Sequence, residues 1–363
     1  MTGNRRDSRA VRVGKLLIGG GNPLSVQSMT NTDTRDREAT LRQVMALEKA
    51  GCDIVRLAVP DLESAATFAY LKEKGVSVPL VADIHFDYRI AVASVSAGAD
   101  KIRINPGNIG SRERIAAVVD ACRSKGVPIR IGVNSGSLEK HILEKHGAPT
   151  PEALAESALY HASLLEEMDF HDIVISVKAS SVPAMIAANR ILAASTAYPL
   201  HLGVTEAGGL RAGMIKSAIG IGSLLADGIG DTVRVSLTAD PLEEIPAARD
   251  ILASLGLDST RRLDVVSCPT CGRTRIDLIP LLAEFEEKID RLGLRRLPLK
   301  VAFMGCAVNG PGEAREADVG IAGGVGEALL FRHGEIIGKY SADSIVDVLI
   351  DAIVAISKEK DKP

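Results

Sequence analysis

Lys74-Gly-Val-Ser-Val-Pro-Leu-Val-Ala-Asp-Ile84 is a short β-branched run introduced by a glycine and a proline, and the same grammar returns in Ser124-Lys-Gly-Val-Pro-Ile-Arg-Ile-Gly-Val-Asn134. In each, glycine ends a helical stretch and proline opens an extended one. Between them Asp100-Lys-Ile-Arg-Ile-Asn105 repeats the run without its proline. Outward from this centre, eight such runs alternate with longer helical patterns, at 24–31, 53–59, 79–84, 100–105, 128–134, 172–178, 200–205 and 232–237. Alternation of this kind marks βα units and a parallel sheet, and eight units in roughly 230 residues match a TIM (β/α)8 barrel better than an open sheet. The preceding Val11-Arg-Val-Gly-Lys-Leu-Leu-Ile18 reads as a hairpin plugging one end of the barrel.

A break falls in Leu257-Asp-Ser-Thr-Arg-Arg262, after which the pattern changes. The spacing predicts a strand at 263–267, a helix at 276–292, strands at 298–304 and 318–322, a hairpin at His333-Gly334 and a helix at 343–357. The expected division is therefore a barrel over 1–257 and a small α/β domain over 263–363. The net charge of -3 and pI near 6.2 argue against binding driven by nucleic-acid phosphates. No run of 18 apolar residues predicts a membrane span, and Met-Thr-Gly-Asn-Arg-Arg6 has no apolar core behind it to make a signal peptide. The expected setting is the cytoplasm.

Arg56, Arg103, Arg130, Lys178 and Arg234 interrupt strands that are otherwise mostly Ile, Val and Leu. Catalytic groups in such barrels come from the C-terminal strand ends, so these cations are expected to converge on one mouth. Clustered cations repel unless an anion sits between them, and guanidinium groups match phosphate oxygens bidentately. A multiply charged phosphate ester is the expected guest. The alternative is that each cation is neutralised by an acid such as Asp53, Asp83, Asp100 or Asp231. Asp83, His85, Asn105, Asn134 and Glu206 would add neutral donors and proton carriers at the same end. Glu206 is the first candidate for general acid, since a carboxylate in a crowded mouth can be moved toward neutrality. Asp83 is the second, with a helix N-cap as its competing role. His201 opens its strand and is expected to be structural. The glycines at 19–21 and 323–326 fit neither Walker nor dinucleotide spacing and read as turns.

Of five cysteines, three fall in the last third, as Cys268-Pro-Thr-Cys271 and Gly305-Cys306, and the last runs into Ala-Val-Asn-Gly-Pro-Gly-Glu313. A disulfide does not suit a chain without a secretory signal. Structural zinc would need a fourth cysteine or a histidine that this region lacks. A thioredoxin-like pair fits a strand, Cys-x-x-Cys and helix, but leaves Cys306 and Glu313 unused. An iron-sulfur cluster takes soft thiolates, and three cysteines would leave one iron of a cubane for an oxygen ligand or a substrate. The zinc and thiol-exchange readings stay open beside it. Cys52 and Cys122 lie in apolar periodic segments and are expected to pack as small hydrophobes.

Val-Gln-Ser-Met-Thr-Asn-Thr-Asp-Thr34, Ala-Asp-Ile-His-Phe-Asp87, Arg-Ile-Asn-Pro-Gly-Asn108, His-Leu-Gly-Val-Thr-Glu-Ala-Gly208, Ser-Cys-Pro-Thr-Cys-Gly272 and Met-Gly-Cys-Ala-Val-Asn-Gly-Pro-Gly-Glu313 resemble motifs of the 4-hydroxy-3-methylbut-2-enyl diphosphate synthase family, in its shorter bacterial two-domain form. The resemblance implies a TIM barrel followed by a sulfite-reductase-like iron-sulfur domain. It implies reductive ring opening of 2-C-methyl-D-erythritol 2,4-cyclodiphosphate in the deoxyxylulose-phosphate route to isoprenoids, with loss of water. Two electrons would enter from reduced flavodoxin or ferredoxin through one 4Fe-4S cluster per subunit. Carried over by motif, Cys268, Cys271, Cys306 and Glu313 would hold that cluster, and the barrel cations, with Asn105 and Asn134, would bind the diphosphate.

The eighth barrel helix should run from the mouth back to the opposite end, which attaches the second domain at the far face. A linker of about six residues spans at most roughly 20 Å, too little to climb back past the barrel. The cluster is therefore expected to serve the barrel of a partner subunit in a two-fold homodimer.

Overall fold

A short antiparallel hairpin, Val11–Val13 (β1) and Leu16–Ile18 (β2), comes first, and each of the eight apolar runs then forms a strand. These are Ser25–Met29 (β3), Ile54–Ala58 (β4), Leu80–Asp83 (β5), Lys101–Ile104 (β6), Ile129–Asn134 (β7), Ile173–Lys178 (β8), His201–Leu202 (β9) and Thr232–Val233 (β10). All pair in parallel, in the order β8-β7-β6-β5-β4-β3-β10-β9. The ring closes through a parallel bridge between Ile175 and Leu200, where the Ile175 N–H donates to the Pro199 carbonyl at 2.9 Å. The computed structural model describes residues 5–258, 263–306 and 314–360. The chain divides into two units, Met1–Ser259 and Thr260–Pro363.

Local chemistry explains the alternation. Gly75 and Gly126 leave their helices at φ +81° and +64°, the left-handed region where a Cβ is costly. At the other ends, Asp36, Asp61, Asp87 and Ser181 cap the helices that follow β3, β4, β5 and β8, each accepting from a backbone N–H of the first turn. Three further aspartates bind the strand entries together. Asp53 accepts from the Val26 N–H at 2.7 Å, Asp100 from Leu80 at 2.7 Å and Asp231 from Leu200 at 2.8 Å. Their cationic partners are Arg249, Lys72 and Arg5.

The hairpin packs Val13 and Ile18 against Ile54 and Val81, which gives one end of the barrel interior an apolar floor. Outside the strands, a continuous apolar layer fills the space between sheet and helices. No helix among the described residues is long and apolar enough to cross a membrane.

The second unit is a five-stranded sheet of Asp264–Ser267 (β11), Lys300–Met304 (β12), Val319–Gly323 (β13), Ala328–Arg332 (β14) and Glu335–Tyr340 (β15), in that order. The first three are parallel and the rest antiparallel. The helices Leu278–Arg291 and Ile345–Lys360 cover one face, where Phe285 meets Phe303 at 4.7 Å between ring centroids. Because side chains alternate along β12, Ala302 and Met304 point to the other face, into a smaller cluster with Ala322, Leu329 and Phe331.

Candidate functional site

Arg56, Arg103, Arg130, Lys178 and Arg234 all turn into the barrel, and the structure separates the two explanations for them. Asp53, Asp100 and Asp231 are engaged at the strand entries and neutralise none of these cations. Asp83 does. It meets Arg103 Nη1 at 3.1 Å and Arg56 Nε at 3.6 Å. Burial alone would raise its carboxyl, but Arg56, Arg103, Arg130 and His85 overcome that and hold it at about 2. Asp83 is thus a counter-ion with no proton to give near neutrality, and the cap of the following helix is Asp87 instead.

Two glycines make room for the cations. A Cβ on Gly132 would fall 2.3 Å from Arg103 Nε, and one on Gly203 would fall 2.7 Å from Lys178 Nζ. Glu244, inconspicuous in sequence, fixes Arg234 through bonds of 3.2 and 3.1 Å to Nε and Nη2, and it accepts from the Ser28 hydroxyl at 2.7 Å. Met29 Sδ lies 3.1 Å from Arg56 Nε and 3.6 Å from Arg234 Nη1. Arg130 and Lys178 have no carboxylate partner among the described residues. Burial, then Arg56 and Arg103, lowers the Arg130 guanidinium well below its ordinary value; burial, then Arg234, Arg56 and Arg130, does the same to the Lys178 amine.

Lys101 was also missed, because at the start of its strand it reads as a surface lysine. It is fully buried, two residues before Arg103 on the same face of β6. His201 opens β9 as expected, yet it is not remote from the cations. Its buried ring feels Arg130, Lys178, Lys101 and Arg56, and neither ring nitrogen has a hydrogen-bond partner.

Asn105 caps the short helix Pro106–Ile109 through its Oδ1, 3.1 Å from the Gly107 N–H, and Asn134 ends β7 in register with Lys178. Glu206 departs from expectation. It is exposed and stands at φ +52°, a left-handed conformation that costs a residue with a Cβ. His85 is exposed beside Phe86.

In the second unit, Cys268 follows β11 and Cys306 lies two residues past β12. Because these neighbouring strands are parallel, both cysteines emerge at one edge of the sheet. The Gly305 N–H donates to Cys268 Sγ at 3.1 Å, and Cys271 sits in a turn closed by Thr274 N–H to its carbonyl at 2.9 Å. Cys268, Cys271 and Cys306 line one cavity of about 230 Å³ with Pro269, Arg273, Thr274 and Met304. Hydrogen bonds from the Arg273 backbone and side chain lower the Cys271 thiol below its ordinary value. Cys52 and Cys122 behave oppositely, with burial pushing both up to about 12. Among the described residues no three His, Cys, Asp or Glu side chains converge on a point that would hold a single ion. Glu313 lies outside the described residues.

Two family profiles cover the chain, the GcpE TIM-barrel domain over residues 8–249 and the GcpE protein C-terminal domain over 264–355. A Clostridium perfringens protein named 4-hydroxy-3-methylbut-2-en-1-yl diphosphate synthase (flavodoxin) is 58% identical over 353 residues, covering 97% of this chain and 100% of the relative. A protein of the same name from Ruminiclostridium cellulolyticum is 56% identical over 349 residues, covering 96% and 98%. Among solved structures, the type I 3-dehydroquinate dehydratase of Clostridium difficile superimposes with a TM-score of 0.50 at 14% identity, over 68% of this chain and 98% of that one, a likeness of the barrel fold alone. With both domains matched in order and more than half of all positions identical to relatives of the same length, the chain belongs to the GcpE family.

Proposed function

We propose that this protein carries out the reaction for which its relatives are named, as an iron-sulfur oxidoreductase. It would reductively open and dehydrate 2-C-methyl-D-erythritol 2,4-cyclodiphosphate to 4-hydroxy-3-methylbut-2-enyl diphosphate in the non-mevalonate route to isoprenoids. The observation that carries the substrate half is the surplus of buried positive charge inside the barrel: Asp83 and Glu244 offset Arg56, Arg103 and Arg234, while Arg130 and Lys178 stay open for an anion. A charged pair with both lone partners filled would not need a ligand; a desolvated cation without one does. Asn105 and Asn134, at the C-terminal strand ends, would orient the guest. Glu206 and Asp83 were the expected proton carriers; Asp83 instead holds Arg56 and Arg103, and Glu206 would act, if at all, from an exposed position at the mouth.

The cysteine cavity fits the cofactor that the family implies. A cubane takes one thiolate per iron, so its ligands surround a space rather than converge on a point, and the three thiols line a common cavity in this way. Cys268, Cys271 and Cys306 would hold three irons and Glu313 the fourth. When bound, the cluster would relay two electrons from the donor, one at a time, and offer a Lewis-acidic iron. Three cysteines that line a cavity, with no three ligands converging on one point among the described residues, suit a cluster better than a four-coordinate structural zinc. Reduced flavodoxin, or ferredoxin, would be the electron donor, the setting cytoplasmic, and the assembly a homodimer in which each cluster domain serves the partner's barrel.

Anaerobic purification tests the cofactor. Wild-type protein should be brown, with broad absorption near ~400 nm that bleaches with dithionite, as Fe–thiolate charge transfer requires. Cys306→Ala should lose the colour and turnover together, whereas Cys122→Ala should keep both. A colourless wild-type protein carrying stoichiometric zinc would overturn the reading.

A further inference from the structure

Beneath the cations of the mouth lies a second polar layer that substrate contact does not explain. Among the described residues, Lys101 Nζ, both ring nitrogens of His201, Gln27 Nε2, Arg130 Nε and the hydroxyls of Ser25 and Thr232 are buried without hydrogen-bond partners. Strand register brings several of them to one level, since Thr232 stands opposite both Ser25 and His201. A TIM barrel normally fills this region with apolar side chains. Here Lys101 Nζ, Gln27 Nε2 and Arg130 Nε are left without acceptors among the described residues.

The charges that face this layer are of one sign. Lys101 feels Arg130 and Arg56; His201 feels those two together with Lys178 and Lys101. The carboxylates that turn inward, Asp83 and Glu244, are already bound to Arg56, Arg103 and Arg234. A protonated Lys101 in the empty barrel would be a desolvated cation with no ion pair and no hydrogen-bond partner among the described residues, so its neutral form is favoured. Arginine has no such escape, because its guanidinium does not deprotonate in proteins. Of the two remaining groups, lysine is intrinsically the more basic by about four pKa units.

We propose that Lys101 is uncharged in the empty barrel and takes up a proton from solvent onto Nζ when a diphosphate fills the cation ring above it, with His201 staying neutral beside it. The proposal rests on the diphosphate reading given above. Its use follows from charge balance. In a cyclic diphosphate each phosphorus bears one ester and one anhydride linkage and a single strongly acidic oxygen, so the ligand carries two fixed negative charges. Opening the ring frees a terminal phosphate whose second ionisation lies near pH ~6, so a further negative charge develops in the site. A proton already gained beneath the ring offsets that charge without a counter-ion from solvent.

The test is calorimetric titration of oxidised, anaerobically purified holoenzyme with the cyclic diphosphate, near pH 8, in buffers of different ionisation enthalpy. The cyclic ligand has no proton to exchange there, so net uptake belongs to the protein. Wild type should take up about one proton per site more than Lys101→Met, whatever the mouth itself contributes to both. Equal uptake by the two proteins would overturn the proposal. So would the absence of any wild-type uptake, which needs no variant; the matching expectation is at least a roughly tenfold rise in wild-type affinity per unit fall in pH. Failure of the wild type to bind the cyclic diphosphate at all would instead sink the diphosphate reading itself.

Discussion

Gly132→Ala offers a sharp perturbation of the barrel mouth, because the backbone of β7 tolerates alanine and only a neighbouring side chain does not. The added Cβ would lie 2.3 Å from Arg103 Nε, 2.6 Å from Nη2 and 2.8 Å from Cζ. Ordinary contact begins near ~3.5 Å, so about 1 Å of overlap must be relieved, and the guanidinium is the part free to move. Its departure breaks the 3.1 Å bond to Asp83 and leaves that carboxylate with Arg56 at 3.6 Å. Overpacking of this kind costs about 1–3 kcal/mol of stability. A hydrogen bond between charged groups contributes about 1.5–3 kcal/mol, so a diphosphate deprived of Arg103 should bind roughly ten- to a hundredfold more weakly. Titration calorimetry with the cyclodiphosphate measures the loss, and Arg103→Met run in parallel identifies its cause. If the clash acts through Arg103, the double variant should bind no worse than Arg103→Met alone, because the shorter side chain leaves nothing to displace. Wild-type binding by Gly132→Ala, or losses that multiply in the double variant, would refute the reasoning.

Arg130→Met should trade function for stability: removing a buried guanidinium that no carboxylate neutralises should leave the fold unchanged or up to about 2 kcal/mol more stable by denaturant titration, while diphosphate affinity falls at least about tenfold. The acid limb of stability should carry a signature of Asp83. Its carboxyl is depressed to about 2 from an ordinary ~3.9, so its contribution, roughly 2 kcal/mol, is complete above pH ~4 and is lost as pH falls toward 2. Asp83→Asn should flatten that part of an acid titration followed by circular dichroism, and an unaltered profile would count against the ion-pair assignment.

The barrel was legible because its signals are local. A glycine at positive φ and a following proline or β-branched run punctuate the chain at Gly75 and Gly126, and each of the eight runs became a strand, although β9 and β10 pair over only two residues. The five cations inside or at the ends of the strands were legible for the same reason, since charge within an apolar run is conspicuous. Lys101 was not, because a lysine beside Asp100 at a strand entry looks solvated until the closed ring buries it. Glu244 was hidden likewise: in Pro241-Leu-Glu-Glu-Ile245 two acids open a helix, and only packing decides that the second turns inward to Arg234 and Ser28. Asp53, Asp83, Asp100 and Asp231 looked equivalent as counter-ions. Three of them sit at strand entries, where their carboxylates accept backbone N–H groups, and Asp83 sits at the other end, where the cations are. The expectation for Glu206 failed on environment: the residue is exposed where a crowded pocket was expected, and its φ of +52° is a tertiary property that no sequence motif reports.

Anaerobic turnover bears most directly on the central claim, that a cluster held by Cys268, Cys271 and Cys306 reduces a diphosphate held by the barrel cations. Cluster-loaded protein should be mixed with the cyclodiphosphate and a chemical reductant, and the open-chain diphosphate quantified against cluster content. The account predicts product in proportion to cluster, absent from Cys306→Ala. Substrate left intact by wild-type protein whose cluster is spectroscopically whole and reducible would contradict it.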